Sequence, residues 1–266
     1  MTMRKRMFLS GVATVGFLFL ALSVAVLQSV RAQGYSGKDF VAPTVFQAAG
    51  PTISSIQGSV DQFRAALGAK RGINWDGNGS SATAVVSTPF AGFQVSRGAL
   101  FSTPGTGFVQ APLSGLASTF GNVSYETIFQ TFSPLRLFSP IGSNVTDTQF
   151  FVPGGGNIPA TTRGFGAVLT DVDQPDGSGP GTKHGNRGAS TLFQYFSANG
   201  ELLFSSFVPA APGDGSLSFF GVVFNDARIA RVRITSGDTA PGPDDEGKHD
   251  VVMLDDFIYG EPQAIQ

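Results

Sequence analysis

The sequence contains no cysteine. That absence removes disulfides, thiol nucleophiles, zinc sites built on thiolates and a lipid-anchored N-terminal cysteine. Histidine is nearly absent too: only His184 and His249 occur. Both lie in Gly-rich or acid-rich stretches without a His-Glu-x-x-His context, so they read as surface residues. No Gly-x-Ser-x-Gly elbow is present. "GNGSSA" after "INWD" imitates a dinucleotide turn, but "TAVVSTP" cannot open a helix behind it. Lys183 in "GPGTKHG" lacks the spacing and the Ser/Thr of a phosphate loop. Internal repeats of solenoid or propeller period are missing as well.

What is plentiful is glycine (35), phenylalanine (25) and proline (16). Glycine and proline punctuate turns, and phenylalanine suits a strand with a large area to bury, so the balance points to an all-β protein.

The first residues place Arg4, Lys5 and Arg6 before an apolar run from Met7 to Leu27, then Val30-Arg31-Ala32. This three-part pattern is that of a secretory signal, and residues 1–32 are expected to be cleaved. The alternative is an uncleaved anchor, since the run is nearly long enough to span a bilayer. Ser10, Gly11, Thr14, Gly16 and Ser23 dilute it and favour cleavage. With the leader go four basic residues, so 17 Lys and Arg fall to 13 while 19 Asp and Glu remain. A balance of about −6 argues against nucleic acid or anionic membrane as a partner. About 234 residues (266 minus 32) then remain, with no stable membrane span expected among them, a size that fits one large β-sandwich.

Residues 33–72 read as an extended lead and a helix. "PTISSIQGSVDQFRAALGAKRG" spaces Ile53, Ile56, Val60, Phe63 and Leu67 by three and four, with Pro51 near the start and Gly68 near the end. A short second helix is expected in "SYETIFQTFS". Residues 73–262 read as strands separated by turns. Asn199-Gly200 lies between two apolar arms, a strong hairpin signal. Strands that alternate with turns rather than helices predict an antiparallel β-sandwich of jelly-roll type.

Asp255 and Asp256 stand side by side in the apolar run "HDVVMLDDFIYG". A regular strand would point them to opposite faces, at least one toward the core or rim, where an ionised carboxylate needs a cation or several donors. Calcium is one candidate, with Asp76 as a further ligand if its strand neighbours the last one. Ion pairs with Arg231 and Arg233 are the other. Asp171, Asp173 and Asp176 before Gly177 imitate a calcium loop, although Pro175 and the missing distal Glu separate them from an EF-hand, and turn chemistry explains them equally well. Glu126, Glu201 or Glu261 could join an aspartate as a glycosidase pair. Trp75, Tyr125, Tyr195 and Tyr259 are candidate platforms for stacking sugars, core packing being the alternative; Trp75 and Tyr259 are the two preferred.

The combination "INWDG", "RGALFSTPGTGF", "GFGAVLTDVD", "SANGELLFS", "SFFGVVFNDARIARVRITSG" and "VVMLDDFIYGEP" resembles a group of exported bacterial proteins with a jelly-roll, galactose-binding-like or lectin-like sandwich. Some of their relatives carry a C-terminal sorting tail of the PEP-CTERM type. The resemblance covers about Ile73 to Pro262. It implies a structural Ca²⁺ near Asp255 or Asp256 with Asp76 as a companion, and extracellular binding. No apolar span or basic tail follows "YGEPQAIQ", so a secreted or periplasmic location is expected rather than sorted anchoring. Three functions follow as expectations. The first is a non-catalytic module that binds carbohydrate or another cell-surface polymer; the others are a glycan-active hydrolase or lyase on the same scaffold and a structural envelope component.

Overall fold

The computed structural model describes residues 42–173, 191–243 and 249–265. The leader, Asp176 of the imitation calcium loop, and Lys183 and His184 lie outside the described residues. The elements run in the order β1 (Thr44–Gly50), α1 (Ile53–Leu67), β2 (Lys70–Ile73), β3 (Ala84–Ser87), β4 (Phe90–Phe93), α2 (Gln94–Arg97), β5 (Ala99–Ser102), β6 (Gly107–Ala111), α3 (Leu113–Phe120) and α4 (Tyr125–Ile128). They continue with β7 (Leu137–Ile141), β8 (Val145–Phe150), β9 (Ala160–Thr161), β10 (Gly164–Thr170), β11 (Leu192–Phe196), β12 (Leu202–Phe207), β13 (Leu217–Val223), β14 (Arg231–Thr235), β15 (Met253–Gly260) and β16 (Gln263–Ala264). No helix among the described residues is long and apolar enough to cross a membrane.

The strands form an all-β antiparallel sandwich. An eight-stranded sheet has the order β1-β13-β10-β15-β7-β6-β3, with β2 also paired to β15. A six-stranded sheet has the order β12-β11-β14-β8-β5-β4, and β16 pairs with β9 in a small ribbon. The chain passes repeatedly from one large sheet to the other, as in a jelly roll. Asn199-Gly200 turns β11 into its antiparallel neighbour β12, with Gly200 at φ 80°. Between the sheets, Phe101, Phe193 and Tyr195 of the smaller one meet Phe108, Phe138, Phe165 and Phe257 of the larger, all fully buried. The abundance of phenylalanine therefore supplies the inner core, where each ring buries a large apolar area.

The outer face of the larger sheet is also covered. Helix α1 lays Ile56, Val60, Phe63 and Leu67 on it. Gly166 and Gly221 face each other in neighbouring strands beneath Phe63. A Cβ on Gly221 would come within 2.9 Å of that ring, so both glycines act as a flat seat for it. Further along, α3 and α4 bury Leu116, Phe120 and Tyr125 against Val109, Leu137 and Met253.

Helix α1 ends at Gly68, φ 68°, as its spacing predicts. The second expected helix is shorter than "SYETIFQTFS": it stops after one turn at Ile128 and is extended from Phe129. The Ile128 carbonyl instead accepts the Gly215 N–H, and the Phe132 N–H goes to a carboxylate of β15. Helices α2 and α3 are not evident from apolar spacing. α2 interrupts what reads as strand, and each ends on a left-handed glycine, Gly98 and Gly121.

Candidate functional site

Strand β15 is irregular where the two aspartates stand. Its ladder with β10 pairs Ala167 with Phe257 and Leu169 with Leu254, leaving Asp255 and Asp256 opposite Val168 alone. This is a β-bulge of one extra residue. Leu254 and Phe257 both reach the inner core, although a regular strand would put residues three apart on opposite faces. The bulge absorbs the change of phase. Asp255 and Asp256 consequently share the outer face of the sheet, which corrects the expectation that they diverge.

Neighbouring segments converge on them. Asp255 is fully buried and takes the Phe132 N–H on Oδ2 (2.6 Å) and the Ser133 hydroxyl at Oδ1 (3.0 Å). Its backbone carbonyl, displaced by the bulge, accepts the indole N–H of Trp75 at 2.8 Å. Arg64 of α1 reaches Asp256 Oδ2 at 3.0 Å. Pairing of β2 with the end of β15 brings Asp76 close enough to raise the affinity of both carboxyls for protons. Asp76 itself accepts the Arg136 N–H and the Asn74 amide, at 3.2 and 2.9 Å. The turn that carries it is tight: Trp75 has φ 63°, and across the site Leu135 has φ 98°. Such values are costly for bulky residues and gather at built sites. Gly77 follows at φ 53°, a left-handed turn that favours glycine, with the Arg136 guanidinium packed against it.

Burial, then repulsion from Asp256, raises the Asp255 carboxyl well above the usual range despite the Phe132 and Ser133 donors. Asp256 is raised by burial too, opposed by the charge of Arg64. Asp255 is the deeper of the two and the one without a cation, so of the pair it holds a proton the more readily, and Asp256 Oδ1 is buried without a hydrogen-bond partner among the described residues.

Arg231 and Arg233 are not the partners of this pair. Both grip Asp147 on the six-stranded sheet, at 2.7 Å each, because β14 lies beside β8 and not beside β15. Calcium does not fit the pair as arranged. Ca²⁺ takes about six to eight oxygens, whereas three of these four carboxyl oxygens face protein donors. Asp171 and Asp173 lie elsewhere. Asp171, at φ 70°, donates its N–H to Ser216, and Asp173 accepts the Gly213 N–H. Among the described residues no group of three or more His, Asp or Glu is disposed to hold a metal ion.

The preferred sugar platforms are core residues. Trp75 is 1% exposed and stacks on Phe138 at 3.8 Å, while Tyr259 is fully buried and donates to the Arg97 carbonyl. Tyr125 and Tyr195 are buried as well. A buried ring offers no face to a sugar.

Beside the pair, between α1 and the edge at β2, opens a cleft of about 390 Å³, within the range of small-ligand sites. Arg64, Lys70, Arg71, Arg97 and Asn74 wall it, and Gly72, Ile258 and Asp256 contribute to its lining. Its donors are held from behind. Arg71 makes two bonds to Glu261 (2.6 and 2.7 Å), and Arg97 donates to the Gly72 carbonyl at 2.6 Å. Sequence reading did not nominate these cations. Arg64 had a signal: it lies four residues after Val60 and three before Leu67, on the border of the buried stripe. Glu126, Glu201, Asp171 and Asp173 do not line the cleft. No family model, curated protein or solved structure matches the chain.

Proposed function

We propose that this protein is an exported, non-catalytic β-sandwich that binds carbohydrate or another extracellular polymer in the cleft beside β2. The observation that carries the reading is the cleft's wall of fixed polar donors, Arg71 held by Glu261 and Arg97 held by the Gly72 carbonyl. Donors positioned before a ligand arrives lose little side-chain freedom on binding it. Of the glutamates offered by the sequence as catalytic partners, Glu126 and Glu201 do not line the cleft, and Glu261 is paired with Arg71 behind its wall. No structural metal enters this reading.

A second reading has one observation in its favour. Asp256 lines the cleft beside Asp255, burial raises both carboxyls, and raised carboxyl pairs are a feature of acid–base enzymes. Against it, Asp256 Oδ2 is occupied by Arg64 and Oδ1 is sealed from solvent. One experiment addresses both. The purified protein is passed over immobilised polysaccharides, and retained protein and newly released reducing ends are measured together. Retention without release is expected; release lost in Asp256→Asn would establish the enzyme instead.

A further inference from the structure

The charge of the cleft is unlike that of the chain around it. Four cations line it against one acid, Asp256, in a sequence of net charge −2. Two of the four are already matched. Arg64 lies 3.0 Å from Asp256 and 3.7 Å from Asp61, and Arg71 is bound through two nitrogens to Glu261. Lys70 and Arg97 have no carboxylate partner among the described residues. Arg97 gives Nη1 to the Gly72 carbonyl, which leaves its Nε and Nη2 donors as a free edge. Lys70 is exposed.

A planar guanidinium edge beside a point charge matches a carboxylate, which an arginine edge binds through two parallel hydrogen bonds. Lys70 and Arg97 leave two positive charges without a carboxylate partner, and among the anions a polysaccharide carries, the coplanar oxygens of a uronate carboxylate match the flat guanidinium edge while Lys70 adds a second donor. The floor is open because Gly72 has no side chain: a Cβ there would meet only the Phe257 carbonyl oxygen, at 3.7 Å. Resting on the reading of this cleft as the glycan site, we propose that its ligand is an acidic polysaccharide, whose uronate carboxylate is bound by Lys70 and Arg97.

The test compares retention of the protein on polygalacturonate, on the same polymer fully methyl-esterified, on dextran sulfate and on vesicles of anionic phospholipid. Polygalacturonate is expected to retain it, and the esterified polymer is not. Salt should weaken binding, since exposed charges are screened within about 8 Å at physiological ionic strength. Lys70→Glu should weaken retention roughly five- to tenfold. It changes an exposed residue, so its melting curve should match the wild type. Gly72→Glu, which needs no backbone strain, should abolish binding by placing a fixed carboxylate on the floor. Equal retention on the esterified and free polymers would overturn the uronate assignment and leave the glycan reading standing. Retention by dextran sulfate or vesicles instead of polygalacturonate would overturn it as well. Retention by no polysaccharide at all would remove both.

Discussion

Asp255 is the residue whose chemistry can be worked furthest. Its carboxyl is raised well above the ordinary range, chiefly by burial, so the folded chain holds a proton that the unfolded chain has released above about pH 4. With one proton fewer in the unfolded state, stability falls as pH rises, by about 1.4 kcal/mol per pH unit. The window opens near the unfolded carboxyl value and closes where the folded pair itself ionises. For a domain of this size each kcal/mol moves the melting temperature by roughly 2–4 °C, so the slope is roughly 3–5 °C per pH unit. Asp76 is raised in the same direction and Asp226 is lowered, so the whole-protein slope mixes several groups. The difference between wild type and Asp255→Asn isolates one. The amide keeps the shape, can accept the Phe132 N–H, and can donate to Asp256 without ionising. Melting curves from pH 4 to 8 should nearly coincide in acid and diverge upward, the variant becoming the more stable protein. Parallel curves would mean that Asp255 is already ionised in the fold, and would refute the raised carboxyl.

Two further outcomes follow from the same site. Arg64→Ala should cost about 1 kcal/mol at neutral pH, a figure discounted for the partial exposure of the arginine. That cost should shrink in acid, where Asp256 takes up a proton and no longer needs a cation; urea titrations at two pH values would read it. Thermal unfolding with calcium and with chelator should give the same midpoint. A calcium-dependent rise that Asp255→Ala/Asp256→Ala loses would instead restore the ion site, because a ligand bound only to the folded state must raise its stability.

Much of the architecture is legible in the residues, because long periodic signals are local. The stripe from Ile56 to Leu67, the glycine that ends it and the Asn199-Gly200 turn need only their own neighbours to be read. The bulge had a signal too: in "MLDDFIY" the core residues Leu254 and Phe257 are three apart, which a regular strand does not allow. Pairing partners are another matter. Arg231 and Arg233 are closer in sequence to Asp255 than Arg64 is, yet strand order sends them to Asp147. Trp75 illustrates the same limit, since a lone tryptophan near a turn suits a sugar platform until the stacking of Phe138 on it is known. The cleft was invisible for the same reason. Arg64 of α1, Lys70 and Arg71 of β2 and Arg97 of α2 come from three separate segments that only the tertiary fold and the Arg97–Gly72 bond assemble.

The bulge also makes the acid pair separable from the sandwich. With either aspartate removed, Met253, Leu254, the remaining aspartate, Phe257, Ile258 and Tyr259 would alternate outward and inward without a break. Most single-residue losses in a strand turn everything beyond them inside out. Here a loss would restore the frame of the strand rather than disturb it. The second carboxylate therefore behaves as an insertion that the sheet has accommodated, and a lineage could gain or shed it in one step while keeping its core.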